Sequence, residues 1–335
     1  MSRPANQSDL ARAAGVSVST VSRALSNARG ISEELRSQIQ GLARELGYRG
    51  RGGGAMETRL VRAYVTVNLM SGGLVAFYSA LVDGLRAGAA AAGLNLELKL
   101  VRQTLDPQRI ARDAREQDAA ITLLVGIDLT TDLAAQFDAE RPAVLVNGLD
   151  PQMRFDCVAP NNFYGAALAT HQLLAAGHRH VLHLREHVRW TTLEREYGFF
   201  NAVSQVAGAT GEVLDILDDG DAAMAEAARL KAAGTAGWTG VYAVHDNAAI
   251  RFIHALEEVG LRVPRDVSVI GFDDLPSASI MSPRLSTMRV DTGAIGREAI
   301  ALALRRLEEP GAARLRVDVG VHHVVGDTVS QVSAS

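Results

Sequence analysis

The chain has 335 residues, 47% of them hydrophobic, 21% charged and 5% aromatic, and a net charge of −4. That composition describes a globular protein long enough for two or three packed units, with no apolar run of the roughly 18 residues a membrane-spanning helix needs. A single cysteine, Cys157, excludes an intramolecular disulfide and a cysteine-based zinc site, and the only lysines, Lys99 and Lys231, both follow leucine, which excludes a Walker A loop.

The charge is unevenly spread. Residues 1–62 carry ten arginines against five acids, a net of +5, and the remaining 273 carry 24 basic and 33 acidic residues, a net of −9. A small basic head on a large acidic body suits a polyanion-binding module joined to something else. The opening MSRPANQSDLARAAG is polar and lacks the apolar stretch of a secretory signal. With one cysteine, the expectation is a reducing cytoplasm.

The head reads as three short helices. Asn6 caps the first, with Asp9 three residues on and Leu10 and Ala14 on one face. Gly15-Val16 makes a tight turn, because glycine accepts the positive φ that other residues resist. Ser17 caps a second helix from Val18 to about Leu25, with Val21 and Leu25 one turn apart. Ser32 caps a third, with Glu33 and Glu34 where the helix dipole favours anions. Its apolar stripe is Leu35, Ile39, Leu42 and Leu46, and Gly47 ends it. Helix, glycine turn, helix and packing helix make a helix-turn-helix arrangement.

The stretch SDLARAAGVSVSTVSRALSNARGISEELRSQIQGLARELGYR closely resembles the headpiece of the lactose/galactose repressor (LacI/GalR) family, almost without a gap over residues 6–49. The resemblance implies that the second helix lies in the major groove of operator DNA. The residue chemistry agrees. Arg23 offers a planar fork for guanine O6 and N7, Ser19 donates or accepts, and Val18 meets a thymine methyl. Ser17, Thr20 and Ser22 suit phosphate oxygens.

The linker departs from the family, whose members usually follow this point with a short hinge helix that pushes a leucine into the minor groove. Here the segment is Arg49-Gly50-Arg51-Gly52-Gly53-Gly54-Ala55-Met56-Glu57. Four glycines in five residues cost roughly 3–4 kcal/mol of helix propensity relative to alanine, and Glu57 falls at the wedge position. Either a shortened hinge helix starts near Ala55 with Met56 or Leu60 as wedge, or none forms. Arg49 and Arg51, in an Arg-Gly-Arg-Gly run like an AT-hook core, then enter a narrow A·T minor groove, or the segment is a cationic tether.

From Val61 the chain alternates β-rich runs with amphipathic helices. The runs 62–69, 96–101, 120–126, 143–148, 180–185, 240–245 and 267–273 read as strands, and 75–92, 106–117, 162–176, 193–207, 221–233, 246–259 and 291–307 as helices. Such alternation predicts parallel, doubly wound α/β sheets, and a break at Ala159-Pro160-Asn161 suggests two subdomains. PNNFYGAALATHQLLAAGHRHVLHL, VPRDVSVIGFDD and PRLSTMRVD resemble the periplasmic-binding-protein-like core of the same family over 62–330. The expected division is a headpiece at 1–49, a linker at 50–61 and a core at 62–335. By that resemblance the core has an N-subdomain (about 62–159 and 290–318) and a C-subdomain (about 160–289 and 319–332), with crossings near 159, 289 and 319. Helix 75–92, small and apolar on more than one face, could pack a dimer partner as well as its sheet.

Ligands of open α/β sheets lie at the C-terminal ends of strands. Asp273 follows a strand directly and could chelate vicinal hydroxyls; by resemblance it contacts the effector. Arg195, three residues before Gly198 in REYGF, sits where relatives place an effector-binding arginine. Phe77 and Tyr78 match an aromatic pair set against the ligand, or are core. Asn147 ends a strand at a polar contact position. His245 replaces the family's usual asparagine, Asp246 is expected to cap the helix after it, and Trp190 is either a stacking platform or core.

The remaining signals carry less. His180 and His183 point to opposite faces of a strand, so His178, His180, His183 and His187 are not expected to converge on a metal. There is no GxSxG and no HExxH, and no GxGxxG follows the first strand, the nearest approach being Ser71-Gly72-Gly73. Three classes compete. A periplasmic ligand receptor is opposed by the basic head and the missing signal, and a Rossmann enzyme by the missing fingerprint. A transcriptional regulator, homodimeric on a pseudo-palindromic operator and controlled by a sugar-like effector without cofactor or metal, explains both halves of the chain.

Overall fold

A computed structural model of the chain describes residues 6–25, 31–46, 60–66, 74–101, 110, 119–129, 131–135, 137, 143–186, 189–216, 221–234 and 237–332. It divides into two compact units, Met1–Arg59 and Leu60–Ser335.

The first unit contains α1 (Gln7–Ala14), α2 (Val18–Leu25) and α3 (Glu33–Glu45). Local chemistry sets the boundaries. The Asn6 side chain accepts from the Ser8 and Asp9 amides while Asp9 accepts from the Asn6 amide, a reciprocal capping box. Gly15 turns the chain at φ +67°. The Ser17 hydroxyl accepts from the Thr20 amide at 3.1 Å, and Ser32 from the Leu35 amide at 3.3 Å. Leu10, Ala11, Val21, Ala24 and Ile39 form a closed core with Leu35 and Leu42 at its margin. Leu46 departs from the expected stripe: it lies one residue past α3 and is exposed.

The second unit holds two parallel sheets. The first has six strands: β1 (Leu60–Thr66), β2 (Asn95–Val101), β3 (Ala119–Val125), β4 (Ala143–Val146), β5 (Asp156–Pro160) and β11 (Arg316–Val319), in the order β11-β5-β4-β3-β1-β2. The second has β6 (His180–Arg185), β7 (Thr210–Asp215), β8 (Gly240–Ala243) and β9 (Ser268–Ile270), in the order β7-β6-β8-β9. A short antiparallel ribbon pairs β10 (Thr287–Val290) with β12 (Val321–Val324). Leu60, one of the two residues considered as a minor-groove wedge, opens β1 opposite Asn95 and Ala119. That pairing removes it from the linker.

Strands with helices on both faces are apolar along both faces, as AVLV of β4 shows by complete burial. On one side of the first sheet, Val61, Ala63, Val65 and Leu123 pack against α4 (Val75–Ala91) and α11 (Thr292–Glu308). On the other, Tyr64, Leu124 and Leu145 pack with Phe137 and Phe155 near the short α5 (Thr131–Ala134). The second sheet sends Leu182, Leu184 and Val241 toward α8 (Asp221–Ala233) and α9 (Asp246–Glu258). Its opposite face, with His183 and Tyr242, meets α6 (Asn162–Ala175) and α7 (Trp190–Ser204). A short α10 (Pro276–Ile280) follows β9. The chain leaves the six-stranded sheet after Pro160, pairs Asp273 with Arg289 by an isolated bridge, and returns through α11 to β11. Of the helix expected at 106–117, only Ile110 lies among the described residues. Among them, no helix is long and apolar enough to cross a membrane.

Candidate functional site

The first unit presents α2 as an exposed polar edge. Val18 is 44% exposed, and Ser17, Ser19, Ser22 and Arg23 are exposed while Val21 and Ala24 face the core. The hydroxyls are less free than their spacing suggested. Ser17 Oγ lies 2.7 Å from Ser19 Oγ and 2.8 Å from Thr20 Oγ1, a hydrogen-bonded knot at the helix start. It fixes the Ser17, Ser19 and Thr20 hydroxyls at the N-terminal turn, where the backbone amides with Ser17 and Thr20 suit phosphate. Arg49, Arg51 and Met56 lie outside the described residues.

In the second unit, polar side chains gather at the C-terminal ends of strands from both sheets. On the first sheet, Asn147 follows β4 at φ +50°. Its Nδ2 donates to Tyr78 Oη at 3.0 Å, and its buried Oδ1 accepts nothing. Tyr78 also accepts from Arg189 at 2.9 Å. Arg189 precedes α7 and reaches back across to the first sheet, donating to the Asn147 carbonyl at 3.1 Å and to Asp128 at 3.2 and 3.3 Å. Arg189 was not a candidate from the sequence. It begins α7 three residues earlier than the expected helix because Thr192 Oγ1 accepts from its amide at 2.8 Å.

On the second sheet, Arg195 projects from α7 at a place fixed by Gly198. A Cβ on Gly198 would stand 2.1 Å from the Phe163 carbonyl oxygen, so only glycine lets α7 press on α6. That closeness brings Arg195 Nε within 2.8 Å of Asn162 Oδ1, at the first residue of α6. The guanidinium carbon stacks 3.7 Å over the Phe272 ring, a cation–π contact, and Arg195 stands 3.6 Å from Asp273 Oδ1. That oxygen, Asn162 Nδ2 and the Tyr242 hydroxyl are buried without a hydrogen-bond partner. Asp273 is held at φ +114° beside the β10 backbone, its amide donating to the Met288 carbonyl at 2.8 Å. Burial pushes its carboxyl above the usual range, against the pull of Arg195 and His245. Burial likewise raises the Tyr242 hydroxyl.

The capping role read for Asp246 falls to His245. His245 is the cap of α9: its Nδ1 accepts from the Ala248 amide at 3.1 Å, which leaves the proton on Nε2 to donate to Glu186 at 2.9 Å. Glu186 also pairs with Arg251. Asp246 is fully buried, and both its oxygens are taken, one by the Leu275 amide at 2.7 Å and one by the Thr287 hydroxyl. A Cβ on Gly271 would sit 2.3 Å from Asp246 Oδ1, so that glycine makes room for it. Burial and the neighbouring Asp273 raise the Asp246 carboxyl well above its ordinary range. It ties the start of α9 to β10 and has no oxygen left for a ligand.

Two aromatic assignments also resolve. Phe77 belongs to the core, edge-on to Tyr78 at 5.2 Å, and only Tyr78 presents a polar atom to the cluster. Trp190 is not core but 42% exposed. It lines a separate cavity with Leu149, Met153 and Tyr197. His183 stacks on Tyr242 at 4.8 Å, and burial lowers its imidazole to about 4. His187 lies outside the described residues.

Comparison with known proteins places both units. Residues 8–50 match the model for bacterial regulatory proteins of the lacI family, and residues 170–329 match a periplasmic binding protein-like domain. The regulator GalS of Salmonella typhimurium is 30% identical over 309 residues, covering 89% of this chain and 88% of that protein. Two solved structures share the fold. The regulator CelR in complex with cellobiose aligns with TM-score 0.70 at 23% identity, over 97% of this chain and 99% of that one. The lac repressor dimer bound to operator and the anti-inducer ONPF aligns with TM-score 0.70 at 20% identity, over 98% and 100%.

Proposed function

This chain belongs to the lacI family of bacterial regulatory proteins and is a DNA-binding transcriptional regulator; from that premise we propose that a small polyhydroxy effector, bound between Asn147 and the Arg195–Asp273 pair, sets its operator affinity. The observation that carries the proposal is the set of buried atoms with unspent hydrogen-bonding capacity: Asn147 Oδ1, Asn162 Nδ2, Tyr242 Oη and Asp273 Oδ1. Buried polar groups are nearly always satisfied, so these four, three of which follow strands or begin a helix while Tyr242 lies within β8, are placed for a ligand. Two are bare acceptors, which asks for a ligand rich in hydroxyl donors. CelR, of the same fold, is complexed with the sugar cellobiose. Arg195, Asn162, Asp273, Asn147 and Tyr78 are the assigned contacts, with His245 braced behind them.

The regulator acts in the cytoplasm as a homodimer without an enzymatic step of its own. The six-stranded sheet with α4, α5 and α11 forms one subdomain and the four-stranded sheet with α6 to α9 the other. Closure between them spaces the two headpieces of the dimer on a pseudo-palindromic operator. Val18, Ser19 and Arg23 read bases, Ser17, Thr20 and Ser22 meet phosphates, and Arg49 and Arg51 enter the minor groove. A thermal-shift screen of sugars, sugar acids and nucleobases against the full chain tests the assignment. A polyol should raise the melting temperature of the wild type but not of Asp273→Asn. Stabilisation by nucleobases alone, or an unaltered shift in Asp273→Asn, would overturn it.

A further inference from the structure

A cavity of about 350 Å³ is lined by residues other than the proposed effector contacts. Leu149 and Met153 come from the loop after β4, Trp190 and Tyr197 from α7, and Arg314 and Arg316 from the run into β11. Tyr78, Asn147, Arg195 and Asp273 are not among its walls. Trp190, Tyr197 and Met153 keep 42%, 56% and 77% of their surface exposed. Large apolar side chains left open together around a concavity mark a binding surface, and this volume falls at the lower end of small-molecule pockets, which run from roughly 300 to 1,000 Å³.

The charges at its rim are unequal. Arg316 is held by Glu194 at 2.7 Å and Asp318 at 2.9 Å. Asp156 is held by Arg306 through two hydrogen bonds, at 2.8 and 3.0 Å, and by the Leu315 amide at 2.8 Å. Arg314 stands 3.7 Å from that same carboxylate, beyond hydrogen-bond reach. That counter-charge is already neutralised by Arg306, so among the described residues Arg314 is the cation at this rim with donors to spare.

We propose that this cavity is a second ligand site and that it takes a flat aromatic acid, with the ring against Trp190, Tyr197 and Met153 and the carboxylate on Arg314. An arginine fork matches a carboxylate in two parallel hydrogen bonds, and one or two fused rings fill the volume. The walls belong to elements of both sheets and include the Arg316–Glu194 pair that links them. An occupant therefore favours the spacing of the two halves that forms the cavity.

The test is calorimetric titration of 2-naphthoate and its neutral counterpart 2-naphthamide into the full-length protein. Wild type is compared with Arg314→Gln, Met153→Glu and Asp273→Asn. The expected result is saturable binding of one 2-naphthoate per chain, weakened at least about tenfold in Arg314→Gln and with 2-naphthamide. Met153→Glu, at an exposed position where folding is not at stake, should abolish binding, and Asp273→Asn should leave it unchanged. No saturable binding, equal affinity for the two probes, or loss in Asp273→Asn with retention in Met153→Glu would overturn the proposal.

Discussion

Arg189 links the helix beside the four-stranded sheet to the six-stranded sheet, and under the proposed closure its replacement by alanine should loosen the two halves. Four hydrogen bonds run from its guanidinium to the first sheet: two to Asp128, one to Tyr78 and one to the Asn147 carbonyl. The pair with Asp128 is long and about a quarter exposed, so screening leaves it on the order of 1 kcal/mol. The bonds to Tyr78 and Asn147 contribute about 1 kcal/mol each. Tyr78 Oη stays satisfied by Asn147 Nδ2 after the substitution, so the tyrosine hydroxyl is not left as a buried orphan. The sum, about 3 kcal/mol, falls on the closed arrangement alone and corresponds to roughly a hundredfold change in the hinge equilibrium. Spin labels on Arg86→Cys in α4 and Glu257→Cys in α9 report the separation by pulsed electron resonance. The distance distribution should broaden and lengthen in Arg189→Ala, and less so in Asp128→Ala. Identical distributions in wild type and Arg189→Ala would refute the bracing role.

Other expectations follow from the same geometry. Arg23→Ala should cost roughly 1–3 kcal/mol of operator affinity and relax preference at one base pair per half-site; mobility-shift titrations with unchanged affinity and preference would refute its base-reading role. His183, buried neutral with its folded value near 4 against 6.5 unfolded, binds fewer protons folded than unfolded between those values. Its stabilisation is fully present above about pH 6.5 and is lost as pH falls toward 4, by about 3 kcal/mol in all. Urea titrations of His183→Phe should lose that slope, and an acid limb as steep as the wild type's would contradict it. In the linker, Arg51→Ala should weaken binding more on A·T-centred operators than on G·C-centred ones, with Met56→Ala nearly silent. Site selection returning a preferred central C·G step, with a large Met56→Ala loss, would restore the wedge.

What the sequence made legible depended on how far apart the partners lie. The caps at Asn6, Ser17 and Ser32 bond within three residues, and all three were readable. Buried strands such as β3 and β4 announce themselves as apolar runs. By contrast β7, β11 and β12 are short and half exposed, with charged or histidine positions such as RVDV and VHHV, and their patterns do not stand out from loops. Asp246 looked like a cap because it precedes a helix; its true partners are 29 and 41 residues away. Arg189 bonds to residues 42, 61 and 111 positions distant, and no local pattern marks it. Arg195 and Asp273 were legible through family motifs, while the Gly198 contact that positions Arg195 shows only in three dimensions.

The most direct test of the account is an operator titration by fluorescence anisotropy with and without a saturating polyol taken from the thermal-shift screen, comparing wild type with Asp273→Asn. The wild-type operator affinity should change by about 5- to 150-fold, the range of a coupling energy of about 1–3 kcal/mol. Asp273→Asn should bind operator as the ligand-free wild type does and show no change on adding the polyol. A wild-type affinity unmoved by a saturating ligand, or an Asp273→Asn protein that responds as fully as wild type, would contradict effector control through this cleft.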